Sequence, residues 1–311
     1  MKLIELITAQ AARLKQAGVS FGHGTTNAFD EAAWLVLWGV GLDMGALEFQ
    51  GQRELSAEEI RKAETLLDLR ISSRKPAAYL TKEAWLQNVP FYVDERSIVP
   101  RSFIAELLAD GENTGELDTW LTEKTQRVLD LCTGNGSLAV IACMAYPEVV
   151  VDAADISDDA LAVAHINVEK HSLTSRITVM QSDLLNDVKG PYDLIICNPP
   201  YVNAQSMAKL PTEYSFEPVM ALAGGDDGMD FVRRIIKDAA AKLSEVGVLL
   251  LEIGNERAHF EHAFRKLEVV WMETSAGDDQ VLLVTRESLA RWNAAAAKGV
   301  EKGVEKQGEK T

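Results

Sequence analysis

From Arg127 onward, short apolar runs alternate with helix-length segments, and this alternation limits the fold more than any other feature. Seven runs have the length and composition of strands, at 127–131, 149–155, 177–180, 192–197, 247–252, 269–272 and 280–284. Helices are predicted between most of them, at 138–146, 158–171, 231–243 and 256–267. Strands joined by crossover helices form a parallel sheet, and the last two strands, with no helix between them, require one antiparallel member. The sequence therefore predicts an α/β fold with a seven-stranded, mostly parallel sheet.

The residues before this pattern predict a separate helical region. Apolar residues recur at helical spacing, and Ser56 with Glu59 forms a capping box that opens the third of three predicted helices. Residues 76–101 predict a β-hairpin with Asp94–Arg96 as its turn. We expect four regions: a helical domain at 1–75, a hairpin linker and connecting helix at 76–110, the sheet domain at 111–287, and a disordered low-complexity tail at 288–311.

The charge balance argues against tight binding of nucleic acid through its phosphates. The chain has 31 Lys and Arg residues against 47 Asp and Glu residues, a net charge of -16, which suits a basic partner. No apolar run reaches membrane-spanning length, and the first residues do not resemble a signal peptide. The three cysteines form no CxxC pair, so reduced thiols and no metal site are expected. A cytoplasmic protein without a membrane partner is predicted.

Polar or glycine-rich segments follow four of the predicted strands. Because the carboxyl ends of parallel strands meet at one edge of a sheet, these segments are expected to form one site. A Gly-rich turn lets a ligand approach the backbone, Asp155 can accept both ribose hydroxyls, and a polar side chain at 182–183 can meet an adenine amino group. The dinucleotide fingerprint G-x-G-x-x-G is not met, because Cys132 stands at its first glycine. The predicted nucleoside-cofactor residues are Asp130, Thr133, Gly134, Asn135, Gly136, Asp155, Ile156, Ser182, Asp183 and Asn198.

The fourth of these segments is Asn198-Pro199-Pro200-Tyr201, which ends the apolar strand at 192–197. Proline cannot continue a central strand, and it holds the residue before it in an extended conformation. The Asn198 amide is therefore expected to project rigidly from the sheet edge. A simple Pro-Pro turn is the alternative interpretation when the motif is considered alone.

Residues 127–286 resemble class I S-adenosylmethionine-dependent methyltransferases, whose sheet is Rossmann-like, and Asn-Pro-Pro-Tyr is the motif of those that methylate a planar amino or amide nitrogen. Other segments resemble the HemK/PrmC/PrmB family of protein-glutamine N5-methyltransferases, at 22–25, 76–81, 91–96, 99–102 and 224–228. The Gly-His-Gly-Thr loop and the Asp-Leu-Cys-Thr-Gly turn are closest to the PrmB branch. This resemblance implies S-adenosyl-L-methionine as cofactor, S-adenosyl-L-homocysteine as product, and a glutamine of the large-subunit ribosomal protein L-three as acceptor, recognised by the helical domain.

The resemblance and the chemistry of the amide together assign roles at the site. Catalytic roles are expected for Asn198, Pro199 and Tyr201: two carbonyl oxygens hold the amide NH₂ group and the ring packs on its flat face. Substrate contacts are expected from these three residues and from Pro200 and Arg101. Asp130 is expected either to orient its turn or to meet the cofactor's amino group. Glu252 is expected to be either structural or beside the substrate, and His23 to be a structural loop residue.

Three alternatives stay open at this point. The glutamine of the Gly-Gly-Gln motif of peptide release factors requires the same chemistry, and only the helical domain could distinguish the two protein substrates. DNA adenine N6-methylation uses the same Asn-Pro-Pro-Tyr motif, but it requires base flipping and a basic surface, against which the charge of -16 argues. A non-enzymatic nucleotide-binding module would leave the motif idle, and an alanine at Asn198 would distinguish it from an enzyme.

Overall fold

A computed structural model describes residues 1–109, 117, 119–121 and 124–308, with side chains up to residue 297. The chain forms two compact units, one made of Met1–Arg101 with Leu210–Pro218, and the other of Ser102–Lys209 with Val219 onward. Among the helices within the described ranges, none is long and apolar enough to cross a membrane.

The first unit is built mainly from helices, as the sequence predicts. Apolar faces of its long helices form one core that includes Leu6, Leu35 and Leu67. The predicted capping box is confirmed, because the Glu59 N–H donates to Ser56 Oγ (3.2 Å) and the Ser56 N–H donates to Glu59 Oε2 (2.9 Å). The elements are α1 (Leu3–Gln16), α2 (Ala28–Val40), α3 (Ala46–Gln50), α4 (Ala57–Ser73), α5 (Ala77–Thr81), β1 (Glu83–Leu86) and β2 (Val89–Tyr92).

The predicted turn of the hairpin is wrong. Strands β1 and β2 pair antiparallel around Gln87 and Asn88, whose φ angles are 48° and 59°. Two successive residues with positive φ form the two-residue turn whose twist matches a hairpin. Asp94, placed in the turn by the sequence analysis, follows the hairpin, and its carboxylate accepts hydrogen bonds from the backbone and side chain of Arg96. Apolar spacing alone did not distinguish these two polar segments.

The second unit contains the predicted seven-stranded sheet, and the predicted α/β fold class is confirmed. The strand order is β5-β4-β3-β6-β7-β9-β8, for β3 (Arg127–Leu131), β4 (Val150–Asp155), β5 (Ile177–Gln181), β6 (Tyr192–Cys197), β7 (Leu243–Glu252), β8 (Val270–Thr274) and β9 (Gly277–Thr285). Only β9 runs antiparallel to its neighbours, β7 and β8. The helices are α6 (Ile104–Leu108), α7 (Ser137–Ala145), α8 (Asp158–Lys170), α9 (Ala204–Met207), α10 (Asp230–Asp238), α11 (Arg257–Ala263) and α12 (Arg286–Gly308).

The order of the strands creates a switch point at the centre of the sheet. From β3 the chain builds outward through β4 and β5, then returns to the other side of β3 with β6 and β7. In the parallel pairing of β3 with β6, Leu131 lies opposite Cys197. The segments that follow these two residues therefore leave the sheet side by side, where open α/β sheets bind ligands.

The predicted disordered tail begins too early. Arg286–Gly308 is one helix, in which Leu289 is fully buried. The Trp292 indole N–H donates to the Arg265 carbonyl (3.2 Å), and the Asn293 amide donates to the Lys237 carbonyl (2.9 Å). The alanine-rich sequence is typical of a low-complexity segment, but alanine is also the strongest helix former. Leu289 and Trp292, at helical spacing, pack this helix against the sheet domain. Residues 309–311 lie outside the described ranges.

Candidate active site

The turn after β3 has a backbone that leaves space for a ligand. Cys132, Gly134 and Gly136 have φ angles of 59°, 56° and 79°, all in the left-handed region. A Cβ added at Gly134 would have no atom within 4 Å, whereas one at Gly136 would lie 3.2 Å from Ala164 Cβ in α8. Gly136 therefore permits close packing of α8, and Gly134 borders open space.

Asp130 ties this turn to the helix that follows it. Its carboxylate is fully buried, and Oδ2 accepts hydrogen bonds from Thr133 Oγ1 and from the Ala139 N–H (3.0 Å). Its other oxygen, Oδ1, has no hydrogen-bond partner among the described residues. Burial raises the pKa of the Asp130 carboxyl to about 7, against the lowering effect of its two hydrogen bonds. Of the two roles expected for Asp130, the structure shows the orienting role. Oδ1 is the oxygen available for the second role, a contact with the amino group of the cofactor.

Replacement of Asp130 by asparagine is expected to change how stability depends on pH. Because burial raises the folded-state pKa, the folded state holds a proton that the unfolded state has lost, so wild-type stability falls as pH rises from about 4 to about 7. An amide does not titrate, so the wild type should lose up to about 1.4 kcal/mol per pH unit relative to Asp130→Asn in this window. Denaturant unfolding of both proteins across the window measures the difference. Parallel pH profiles would contradict the assigned cause.

Asp155, at the end of β4, also faces this turn. Its Oδ2 accepts from the Gly134 N–H (2.9 Å) and its Oδ1 accepts from the Ser157 N–H (3.0 Å). Burial raises the pKa of this carboxyl, and the backbone hydrogen bonds lower it. Each carboxylate oxygen can accept more than one hydrogen bond, so ribose hydroxyls can still be received. The neighbouring Ile156 is 51% exposed and offers an apolar surface at the same strand end.

The segment after β5 supports the sequence-based expectation only in part. The Ser182 hydroxyl donates to the Leu184 carbonyl (2.5 Å) and accepts from the Asp187 N–H (3.2 Å), so it stabilises its own loop. The Asp183 carboxylate pairs with Arg234 at 2.6 Å. The structure gives Ser182 a structural role, and the polar group left near the expected adenine position is the paired Asp183 carboxylate.

Asn135 is a buried residue with one unused donor. Its Oδ1 accepts from the N–H of Ser137 (3.1 Å), the first residue of α7, and its carbonyl accepts from the Asn167 amide (2.9 Å). Within the described part of the chain, Asn135 Nδ2 has no acceptor. A buried amide N–H without a partner is costly, so a ligand group with an acceptor fits this position.

Asn198 leaves the sheet directly after β6, beside the turn that follows β3. The residue is half-buried, and among the described residues its side-chain amide has no hydrogen-bond partner. Pro199 is buried and Pro200 is half-buried, and the next residue but one, Val202, forms an isolated parallel bridge with Ala223. The amide of Asn198 is therefore held by rigid backbone on both sides and is available to a ligand.

Tyr201 is positioned by the buried carboxylate of Glu252. The Tyr201 hydroxyl donates to Glu252 Oε1 (3.1 Å), while Glu252 Oε2 accepts from Ser102 Oγ (2.6 Å) and from the Phe103 N–H (2.9 Å). Burial raises the pKa of Glu252, against the effect of these donors. Of the two expected roles of Glu252, the structural one is present. Nothing in the sequence identified Ser102 as its partner.

Three glycines allow the close packing of Tyr201. An added Cβ would lie 2.7 Å from Tyr201 Cα at Gly224, 2.2 Å from the Tyr201 carbonyl oxygen at Gly228, and 2.5 Å from Tyr201 Cε2 at Gly254. Real Cβ contacts are longer than any of these, so each position requires glycine. Gly224 and Gly228 lie in a segment that carries the family resemblance, whereas sequence reasoning missed Gly254.

Replacement of Gly254 by alanine is expected to displace the Tyr201 ring. Since misplacing a reacting group by about 1 Å can cost about 10²-fold in rate, methyl transfer should fall by that order while cofactor binding persists. Gly18→Ala is the matched control, because Gly18 also has a positive φ (62°) but an added Cβ there meets nothing within 4 Å. Rates and cofactor affinities of both variants test this. Equal loss of activity in both would show that backbone strain is the cause.

Arg101, a predicted substrate contact, lies in the first unit and is engaged there. Its guanidinium forms a bidentate ion pair with Glu217, at 2.6 Å and 2.7 Å. The arginine holds the pKa of the Glu217 carboxyl at about 2, although burial alone would raise it. His23, expected to be structural, is buried beside Glu217 Oε2 (3.5 Å) and packs on the Tyr214 ring. Arg101 thus has an internal partner, which gives no support to the predicted substrate contact.

Comparison with known proteins adds evidence from sequence. The family model of the methyltransferase small domain matches residues 115–214. The ribosomal protein uL3 glutamine methyltransferase of Bordetella pertussis is 50% identical, over 92% of this chain and 96% of the relative. The protein of the same name from Burkholderia pseudomallei is 50% identical over 92% and 94% of the two chains, and that from Neisseria meningitidis serogroup A is 46% identical over 92% and 93%.

Proposed function

This chain belongs to the family of ribosomal protein uL3 glutamine methyltransferases, and we propose that it methylates the side-chain nitrogen of a glutamine in uL3, the large-subunit ribosomal protein L-three. One observation carries the proposal: the Asn198 amide, without a partner among the described residues, lies at the switch point next to the open turn at Gly134. The names of the relatives support the choice of acceptor. A ribosomal protein substrate supports a cytoplasmic location for the enzyme.

The residues of the site fit S-adenosylmethionine. Two buried polar atoms, Asp130 Oδ1 and Asn135 Nδ2, have no partner within the described ranges, and Gly134 borders open space. Asp155 at the end of β4 is placed to receive ribose hydroxyls. The residues proposed to hold the cofactor are Asp130, Thr133, Gly134, Asn135, Gly136, Asp155, Ile156, Asp183 and Asn198, with Ser182 shaping the loop. When bound, S-adenosylmethionine supplies a methyl group on a sulfonium, which needs no further activation.

The main task of the protein is to position the glutamine nitrogen. An amide nitrogen is a weak nucleophile because its lone pair is delocalised into the carbonyl. Asn198 Oδ1 and the Pro199 carbonyl accept the two N–H groups, which orients the nitrogen and stabilises the positive charge that develops there. Pro199 has no N–H that could compete for the same acceptors. Tyr201, fixed by Glu252, packs on the flat face of the amide.

The methyl transfer requires no strong base. As the carbon–nitrogen bond forms, the carbon–sulfur bond breaks and its electron pair stays on sulfur. The methylated amide is then strongly acidic and loses one proton to water. His23, the buried histidine considered above, belongs to the first unit, where its Nε2 lies 3.5 Å from Glu217 Oε2.

Label transfer to three candidate acceptors tests the proposal. The protein is incubated with radiolabelled S-adenosylmethionine and, in separate reactions, purified uL3, a peptide release factor and unmethylated DNA. We expect label on uL3 alone. Label on the release factor alone would replace the proposed acceptor by the Gly-Gly-Gln glutamine, and label on DNA alone would reject protein methylation.

A further inference from the structure

A groove of about 660 Å³ on the first unit is separate from the residues that carry the chemistry. Its walls come from the loop before α2, from α2 itself, from the segment after α2, and from the β1–β2 hairpin. Its lining includes three tryptophans and three carboxylates: Trp34, Trp38, Trp85, Asp30, Asp43 and Glu83. Nothing in the proposed reaction uses them.

Two tryptophan side chains in the groove are unusually exposed to solvent. Trp38 is 45% exposed and Trp85 is 42% exposed, although tryptophan is highly buried on average. Trp34, also in the wall, is only 4% exposed, yet its indole N–H has no acceptor among the described residues. Exposed tryptophans grouped in one concave patch are typical of binding surfaces, where they contribute most of the affinity.

The same groove carries three carboxylates, and the described residues that line it include no cationic side chain. Asp30 accepts a hydrogen bond from the neutral Asn27 amide (2.7 Å), and Glu83 accepts one from the Trp85 indole (2.9 Å). Neither these two carboxylates nor Asp43 forms an ion pair with any described residue. Charge complementarity therefore selects a cationic occupant.

The walls are fixed before any ligand arrives. The indole of Trp85 is held by Glu83 and lies opposite Pro90 in the hairpin register. The hairpin turn, Gln87–Asn88, is the tight two-residue type, and Gly41 ends α2 in a left-handed conformation with φ 73°. A rigid aromatic wall loses little conformational entropy when it binds, which favours specific recognition over non-specific attraction.

We infer that this groove binds a segment of the uL3 substrate rich in arginine and lysine, outside the reacting glutamine; this inference rests on the proposed function. Proteins that bind ribosomal RNA neutralise its phosphates with such side chains, so the substrate supplies the required charge. Guanidinium and ammonium groups stack on indole faces, and carboxylates at the rim pair with them. The groove thus selects a basic protein, while the site at Asn198 selects the amide.

Steady-state methylation of purified uL3 by two groove variants tests this inference. Trp38→Ala removes one aromatic face, and the combined Asp30→Asn, Asp43→Asn, Glu83→Gln variant removes the charge while keeping hydrogen-bond acceptors. Trp38→Ala should raise KM for uL3 by about tenfold, since a cation on an indole contributes on that order. The charge variant should raise KM by about fivefold, since exposed ion pairs are weaker. kcat and the affinity for S-adenosylmethionine should stay near the wild-type values. For the charge variant, KM should also depend less on salt.

Two controls lie on the same unit but outside the groove. Phe49→Ala removes an aromatic residue that is 84% exposed, and Glu48→Gln removes an exposed charge; both should leave KM unchanged. Unchanged KM in both groove variants, with active wild-type enzyme, would overturn the inference and leave the proposed function intact. A wild-type enzyme that places no label on uL3 would overturn the proposed function first, and the inference with it.

Discussion

Alanine at position 198 is expected to lower the rate of methyl transfer by about 10²–10³-fold, the typical effect of removing one preorganised group that stabilises transition-state charge. The reason is that Asn198 Oδ1 accepts one amide N–H, and without it the glutamine nitrogen is free to rotate away from the methyl group. Since the Asn198 side chain supports no other described residue, the fold should change little. The affinity for S-adenosylmethionine should fall far less than the transfer rate, because the other residues proposed to hold the cofactor are unchanged. Single-turnover rates and calorimetric binding measure the two quantities separately.

Asn203→Ala serves as the control for this experiment. Asn203 also follows β6, but its side chain caps α9 by accepting from the Ser206 N–H (2.8 Å) and donates to Glu256 (2.6 Å). Its loss should cost about 1 kcal/mol of stability through the cap and leave the transfer rate nearly unchanged. An Asn198→Ala enzyme that transfers methyl groups at the wild-type rate would rule out the mechanism.

Replacement of Arg70 by leucine is expected to lower the free energy of unfolding by about 3–5 kcal/mol, as when one partner of a buried ion pair is removed. The Arg70 side chain is fully buried: Nε donates to Glu31 Oε1 (2.8 Å), Nη2 donates to the Ser20 carbonyl (2.9 Å), and Nη1 lies 3.5 Å from Glu213 Oε1. Burial already raises the pKa of Glu31, and Arg70 is the main group that opposes this. Leucine would leave the buried Glu31 carboxylate without its counterion, and Glu213 would keep only Arg74.

Denaturant unfolding of Arg70→Leu measures this effect. Lys62→Ala is the control, because Lys62 pairs with Glu58 on the exposed face of α4 (3.0 Å), where such pairs contribute about 0.5 kcal/mol or less. A loss in Arg70→Leu as small as that of the control would show that the Glu31–Arg70–Glu213 cluster does not stabilise the first unit.

The sheet could be predicted from the sequence because its central strands are buried on both faces. A continuous apolar run such as Leu194–Cys197 is typical of a strand buried in a parallel sheet, and helices of suitable length separate most of these runs. The positions of Asp130, Asp155 and Asn198 at strand ends followed from the same pattern. Local order along the chain therefore sufficed for the central sheet edge.

Features that depend on contacts distant in sequence could not be predicted. Glu213 and Glu217 follow the Asn-Pro-Pro-Tyr motif, yet they pair with Arg74 and Arg101 of the first unit. Residues 210–218 thus belong to the first unit, which differs from the predicted domain at 111–287. Gly254 shows the same limit, since the contact that excludes a larger side chain comes from the Tyr201 ring beside it. Spacing along the chain carries no information about such neighbours.

Identification of the modified atom tests the central claim most directly. Purified uL3 is incubated with the enzyme and S-adenosylmethionine, digested to peptides, and analysed by tandem mass spectrometry, with Asn198→Ala as the parallel reaction. We predict one added methyl group on the side-chain nitrogen of a single glutamine of uL3 with the wild-type enzyme, and a greatly reduced amount with the variant. A methyl group on a lysine, arginine or carboxylate side chain, or equal modification by both enzymes, would contradict the account.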